Sequence, residues 1–178
     1  RRVAMAWMSN WQYANQVPTM QYRSGNSIPR DLDLYEYNGD IYCGVTPSPE
    51  LTAARAKKAT KNLTETCEVV VSLKGSATLT LSNDKGEKVV MVYDEKNNTF
   101  AMDRTNSGLK DFSDDFAVVT KAPVHGKMSQ LRLFIDKSSI EAFDAEGRMA
   151  MTNLVFPTKP YNKVTLKGKG KYVVYNLK

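Results

Sequence analysis

Apolar positions recur with a period of two along most of this chain. Thr78-Leu-Thr-Leu81 alternates cleanly, and Leu131, Leu133 and Ile135 fall on one face of a single run. Further runs of the same kind are Val69–Leu73, Val89–Tyr93, Thr99–Asp103, Phe116–Thr120, Ser139–Phe143, Met149–Val155, Val164–Lys167 and Tyr172–Leu177. Turn-forming clusters punctuate them at Asn83–Gly86, Glu95–Asn98, Asn106–Gly108, Asp144–Gly147 and Lys167–Gly170. Short strands with such punctuation predict an all-β fold, an antiparallel sandwich or barrel.

One stretch breaks the alternation. Pro49-Glu-Leu-Thr-Ala-Ala-Arg-Ala-Lys-Lys-Ala-Thr60 reads as a short helical or irregular connector, with Ser48 placed to cap it and Pro49 at its first position. Residues 48–62 are therefore read as a linker between a first part, 1–47, and a second, 63–178. The first part offers three strands, Val3–Met8, Ser27–Leu34 and Ile41–Val45. That is too little for an independent sheet domain and one short of the roughly four strands in a propeller blade. The sequence thus predicts an incomplete blade followed by a complete antiparallel β-sandwich. With no initiator Met and no leader, the chain is read as starting inside a larger protein.

The formal net charge is +6, from 25 Lys and Arg against 19 Asp and Glu. The basic side chains are scattered. The two local groups, Arg55 to Lys61 and Lys167 to Lys171, are short and carry no interleaved aromatics, which argues against a nucleic-acid partner. No apolar run approaches the roughly 20 residues that span a bilayer. Cys43 and Cys67 lack CxxC spacing and His125 is the sole histidine, too few soft ligands for a usual zinc site, so no metal or other cofactor is expected. Free thiols are the simpler reading, and one disulfide in an oxidising compartment is the alternative. His125 lies in a loop-like stretch without a nucleophile elbow, which speaks against a Ser-His-Asp triad. Asn62-Leu-Thr64 and Asn97-Asn-Thr99 match a glycosylation pattern too short to carry weight.

The chemistry concentrates near the start. Trp7, Asn10, Trp11, Gln12 and Tyr13 form an aromatic and amide cluster of the kind that meets sugars: an indole face packs on sugar C–H groups while a neighbouring amide bonds hydroxyls. Trp11 is the leading candidate contact, with Asn10 beside it; Tyr13 and Arg23 are weaker. Trp7 continues the strand alternation of its neighbours and is expected in the core. The pairs Asp31/Asp33, Asp114/Asp115 and Glu141/Asp144 are expected to be solvated or turn-capping. Asp103, Arg104, Asp136, Ser138, Ser139 and Glu141 are expected to tie turns and strand ends together.

The run Trp7-Met-Ser-Asn-Trp11, the Pro18-Thr19 pair and Ile28-Pro-Arg-Asp-Leu32 together resemble the last propeller blade of glycoside hydrolase family 32, the invertases, inulinases, levanases and related β-fructosidases. Phe100–Gly108 resembles that family's Asp-Arg-x-x-Ser-Gly stretch. Asp136–Phe143, with Gly147 and Thr152–Pro157, resembles a signature of its C-terminal sandwich. The resemblance implies a five-bladed propeller that carries the active site and a sandwich that follows it. It also implies a retaining mechanism with a nucleophilic Asp in Asn-Asp-Pro, an acid/base Glu in Glu-Cys and a stabilising Asp in Arg-Asp-Pro.

None of these three motifs occurs here: Arg30-Asp31 is followed by Leu32, and Cys67-Glu68 is inverted. No catalytic residue is therefore assigned in this chain, and the chain alone is expected to be inactive. The resemblance places Asn10 and Trp11 at the wall of a fructosyl site, with a fructose-containing saccharide and the upstream propeller as partners. It makes a periplasmic or extracellular parent plausible. The competing reading is a non-catalytic carbohydrate-binding sandwich. A third is a self-associating domain, since the open edges of an incomplete blade invite pairing with another chain.

Overall fold

The computed structural model describes all of residues 1–178. Its first sheet holds β1 (Arg2–Ala4), β2 (Arg30–Tyr37) and β3 (Asp40–Pro47), antiparallel in the order β1-β2-β3. The β2–β3 hairpin runs in unbroken register from Arg30 opposite Pro47 to Tyr37 opposite Asp40. It turns at Asn38-Gly39, both with positive φ, 54° and 88°. That is the geometry a two-residue hairpin turn demands, and Asn and Gly are the residues that adopt it at least cost.

A single helical turn, α1 (Glu50–Ala53), follows. Ser48 does not cap it. Its hydroxyl donates instead to Asp31 at 2.5 Å, while its carbonyl accepts the Leu51 amide. Residues 55–60 then run along the edge of the last strand, the Ala56 amide bonding Asn176 and Thr60 exchanging two backbone bonds with Val174.

The remaining strands are β4 (Cys67–Ser82), β5 (Lys88–Asp94), β6 (Thr99–Asn106), β7 (Val119–Pro123), β8 (Gln130–Asp136), β9 (Ser139–Asp144), β10 (Ala150–Leu154) and β11 (Lys163–Asn176). Two long strands organise them. The first half of β4 pairs with β8 and its second half with β5, while β11 pairs along nearly the whole of its other side. β4 and β11 thus belong to both layers of the sandwich, as strands do that pass from one sheet to the other through a bend.

The odd-numbered positions of β4, from Cys67 to Leu73 and from Ala77 to Leu81, all face the core. Leu131, Leu133, Ile135, Ile140 and Ala142 join them from one layer, and Val89, Met91, Tyr93, Phe100 and Met102 from the other. At the far edges Asn153 of β10 donates to Thr120 of β7 at 2.8 Å, closing the two layers over the core.

Several sequence-level boundaries shift. Val69–Leu73 and Thr78–Leu81 are one strand, as are Val164–Lys167 and Tyr172–Leu177. Lys167-Gly-Lys-Gly170 runs on through that strand and is not a reversal; the bulge is in β4, where Lys74, Gly75 and Ser76 stand against Lys169 alone between the pairs Leu73–Gly170 and Ala77–Gly168. The first strand ends at Ala4, leaving Trp7 in an isolated bridge with Asn26. The second starts at Arg30. Phe116 lies before β7, fully buried in a turn.

The seam between the small sheet and the sandwich is dense. Glu141 accepts the Ile28 amide at 3.0 Å and pairs with Arg30, which also donates to Thr152. The Val45 amide bonds the Gly147 carbonyl at 2.9 Å. Tyr37 lies flat on His125, ring centroids 4.4 Å apart and 4° from parallel, and the Tyr35 hydroxyl meets His125 Nδ1 at 2.8 Å. Glu141 and Asp144 are buried and not solvated: Asp144 takes the turn-capping alternative, its Oδ2 accepting the Arg148 amide at 3.4 Å, whereas Glu141 holds the two sheets together.

Candidate functional site

The aromatic cluster sits on a tight turn from Asn10 to Tyr13. The Tyr13 amide bonds the Asn10 carbonyl at 3.1 Å, which puts Trp11 and Gln12 at the two corners. The Asn10 side chain braces the turn from within, its Oδ1 accepting the Gln12 amide at 2.9 Å and its Nδ2 donating to Gln12 Oε1 at 3.1 Å. Asn favours such turns because its carboxamide imitates a further peptide unit.

The consequence is presentation. Trp11 is 88% exposed, and Trp7 is 40% exposed with its ring centroid 5.2 Å away at 58°. Trp7 is thus not core packing, contrary to what alternation suggests: strand β1 has ended three residues earlier, and its indole N–H reaches toward the Arg23 carbonyl at 3.5 Å. Met20 and Tyr22 extend the exposed apolar surface.

Directly after Trp11 the chain dives inward. Tyr13, Ala14 and Val17 are buried, and Tyr13 and Val17 pack with Phe116, Leu154 and Phe156 of the second part of the chain. Tyr13 stands edge-on to Phe116 at 5.3 Å and 88°, a favoured aromatic geometry. Arg23 folds back to donate to the Thr19 carbonyl, and Tyr22 Oη lies 3.3 Å from Ser138 Oγ on the β8–β9 turn. The structure therefore brings Trp7, Asn10, Trp11 and Gln12 together at the surface. It places Tyr13 beneath them and uses Arg23 to close the loop.

The acids are committed elsewhere. Asp31 is bonded by Arg1 and Ser48, which hold its carboxyl below the usual range. Glu68 is fully buried, gripped by two nitrogens of Arg55 at 2.5 and 2.7 Å and by Arg132 at 2.6 Å. Asp103 closes a local turn on Thr105, and Asp136 accepts from Thr66 and the Lys137 amide. Asp144 keeps one buried oxygen without a partner, and burial pushes its carboxyl up. Both cysteines are free thiols, Cys43 exposed and Cys67 buried. On the sandwich an open crevice of about 190 Å³ is lined by Thr64, Glu65, Asp136, Lys137, Thr158 and the rim of Tyr161.

Sequence reasoning missed Arg104 as a partner of this turn. It lies on β6, is 3% exposed, and donates to the Leu154 carbonyl at 3.0 Å and to the Tyr13 hydroxyl at 3.4 Å. Its guanidinium sits 4.2 Å over the Phe116 ring. Only an arginine inside an apolar alternation hinted at it.

Comparison with known proteins agrees with this architecture. Residues 40–178 match the family described as glycosyl hydrolases family 32 C terminal, and residues 1–44 match the family 32 N-terminal domain. A levanase of Bacillus subtilis (strain 168) is 33% identical over 89% of this chain and 27% of its own length. The extracellular exo-inulinase inuE of Aspergillus niger is 30% identical over 88% of the chain and 34% of its own. The chain thus spans about a quarter to a third of these curated relatives. Among solved structures, the exo-inulinase of Aspergillus awamori superposes with a TM-score of 0.86 at 24% identity, over 99% of this chain and 40% of that one. A Bombyx mori GH32 β-fructofuranosidase superposes at 0.72 and 18% identity, over 99% and 38%.

Proposed function

The chain belongs to glycoside hydrolase family 32, and from that premise we propose that it is the C-terminal portion of a β-fructosidase that cleaves terminal or internal β-fructosyl linkages of sucrose, inulin or levan. The observation that carries the reading is the Asn10–Tyr13 turn. A solvent-facing indole on a turn braced from inside, with buried anchors directly behind it, is built to meet a ligand at a fixed place. Trp11 then supplies an apolar platform for a sugar ring, and the Asn10 and Gln12 amides supply hydroxyl partners.

In this reading the sandwich supports the blade, and catalysis is the work of carboxylates outside these residues. A retaining glycosidase sets two carboxyl groups about 5–5.5 Å apart, one as acid and one as nucleophile. Asp31 and Glu68, the acids whose neighbours most resemble the family's motifs, are instead bound up in ion pairs with Arg1 and with Arg55 and Arg132. The exposed apolar positions Leu34 and Ile41 of the β2–β3 hairpin are where the rest of a propeller would pack. In the chain by itself, the same positions would favour self-association.

Assay of the chain against sucrose, inulin and levan tests the proposal. No turnover is expected, and turnover at a rate typical of an intact glycosidase would overturn it. Calorimetric titration with fructo-oligosaccharides separates the second reading, a non-catalytic binding sandwich, for which the crevice beside Asp136 and Thr158 is the relevant observation. Binding lost in Trp11→Ala supports the Trp11 site. Binding that survives Trp11→Ala but is lost in Asp136→Ala supports the crevice.

A further inference from the structure

Arg104 is an anomaly in energetic terms. A guanidinium this deeply buried ordinarily has a carboxylate partner, because an uncompensated charge in the interior is costly. Arg104 makes no ion pair. Its Nη1 donates to Leu154 O, its Nη2 to Tyr13 Oη, its Nε is buried without a partner, and the faces of Phe116 and Tyr13 lie 4.2 and 5.7 Å from its centre. Aromatic faces attract a desolvated cation, so Tyr13 serves Arg104 twice, through its ring and its hydroxyl. An apolar residue would fill the same space without the desolvation cost. What the arginine adds is a directional hold on one particular tyrosine.

That tyrosine closes the turn that carries Trp11. Its amide makes the bond to Asn10 that defines the turn, and its carbonyl accepts the Gln16 amide at 2.9 Å as the chain continues inward. With the Tyr13 ring wedged against Phe112 and Phe116, the direction in which Trp11 leaves the surface follows from where Tyr13 is held.

We propose that Arg104 is a positioning residue for Trp11, acting from the sandwich through the Tyr13 hydroxyl and ring, and that it thereby sets the aromatic surface offered to a fructosyl ligand. The last clause rests on the function proposed above; the positioning itself does not. Losing the Arg104 hold leaves the turn free to swing, and the Trp7–Trp11 arrangement loosens while the sandwich stays folded.

The chain supplies its own probe. Trp7 and Trp11 are its only two tryptophans, and their skewed rings at 5.2 Å form a pair whose coupled circular dichroism reports their mutual orientation. Arg104→Met, Tyr13→Phe and the double variant are compared with the parent well below the midpoint of each unfolding transition. Leu79→Ala, in the main core, serves as a variant that is destabilised without touching the turn.

The expected result is loss of the tryptophan couplet and increased quenching by iodide in Arg104→Met. A smaller loss is expected in Tyr13→Phe, none beyond Arg104→Met in the double variant, and none in Leu79→Ala. Arg104→Lys, which keeps one donor, should retain part of the couplet. Should Arg104→Met fail to fold, Tyr13→Phe carries the test. Unchanged couplet and quenching in folded variants would overturn the proposal. Titration with fructo-oligosaccharides then separates the two claims. Weaker binding by Arg104→Met supports both, whereas a changed couplet with no saccharide binding by the parent chain supports positioning and overturns the reading of Trp11 as a sugar contact.

Discussion

Arg30 and Glu141, 111 residues apart in sequence, form an ion pair across the seam between the small sheet and the sandwich, with the carboxylate 3% exposed and the guanidinium 17%. The second Glu141 oxygen takes the Ile28 amide, and the Arg30 guanidinium also reaches 5.1 Å from the Phe143 ring centre. One side chain of the sandwich therefore fixes both the backbone just before β2, at Ile28, and the side chain of its first residue, Arg30.

Removing one partner of such a pair leaves the other charged and buried. Glu141→Ala is expected to cost about 3–5 kcal/mol. The double variant Arg30→Met/Glu141→Leu should recover about half of that, leaving the roughly 1–3 kcal/mol of an Ile28 amide without its acceptor. Urea unfolding of the single and double variants measures both, and equal losses in the two would show that charge is not what matters at the seam.

Gly147 tests the seam from the backbone side. Its φ is +75°, and a Cβ there would stand 2.9 Å from Thr46 Cγ2 and 3.2 Å from the Val45 amide. Gly147→Ala should cost about 1–3 kcal/mol from the conformation alone, with the crowding of Val45 in addition. Hydrogen exchange at Val45, whose amide bonds Gly147, should accelerate by more than exchange at Val69 in the core.

Acid should weaken the fold through a small set of carboxylates. Hydrogen bonds from Arg1 hold Asp31 low, those from Lys163 hold Asp84 low, and those from Asn97 hold Asp94 low. For Glu87 burial pushes upward, but bonds from Thr158 and Asn83 together outweigh it. Groups lowered in the fold add stability above their unfolded values near about 4, and that stability disappears as pH falls through the folded values. Asp144 has the opposite sign. Burial raises it, so its contribution is fully present below the unfolded value and is lost as pH rises through the folded one. Asp144→Asn should therefore flatten the decline in stability above about pH 4 and leave the acid limb unchanged, as read from unfolding midpoints across pH.

The two thiols should separate cleanly. Burial pushes Cys67 up, while Cys43 is exposed on β3. A disulfide-exchange reagent at neutral pH is expected to titrate one thiol in the native chain and two in denaturant. Two fast thiols in the native chain would contradict the burial of Cys67.

Local patterning made much of this fold legible. The alternation in Val69–Leu73 and Leu131–Ile135 marks the core faces of β4 and β8, because a half-buried strand must alternate. The limit came where distant partners decide. A Gly-rich Lys-Gly-Lys-Gly run is compatible with a reversal or with a continuous strand, and only its pairing with Leu73 and Ala77, across a bulge in β4, selects the strand. Trp7 continues an apolar alternation, yet its strand has already ended. Glu141 looks like any acid in a strand until Arg30 appears beside it. The Trp11 turn could be read as a surface from its residue types; its fastening to Arg104 could not, since 91 residues separate Tyr13 from its partner.

The two long strands also set an order of assembly. β4 is made well before β11, the strand that covers nearly its whole length, which lies about ninety residues later, in pairs such as Val70 with Val173 and Ser82 with Lys163. Pairings so distant in sequence are slow to form, and a nascent chain holding β4 exposes an apolar edge until residues 163–176 have been made. A truncation before Lys163 should therefore yield aggregates in place of a smaller sandwich, and a chaperone has most to do in the interval between those two strands.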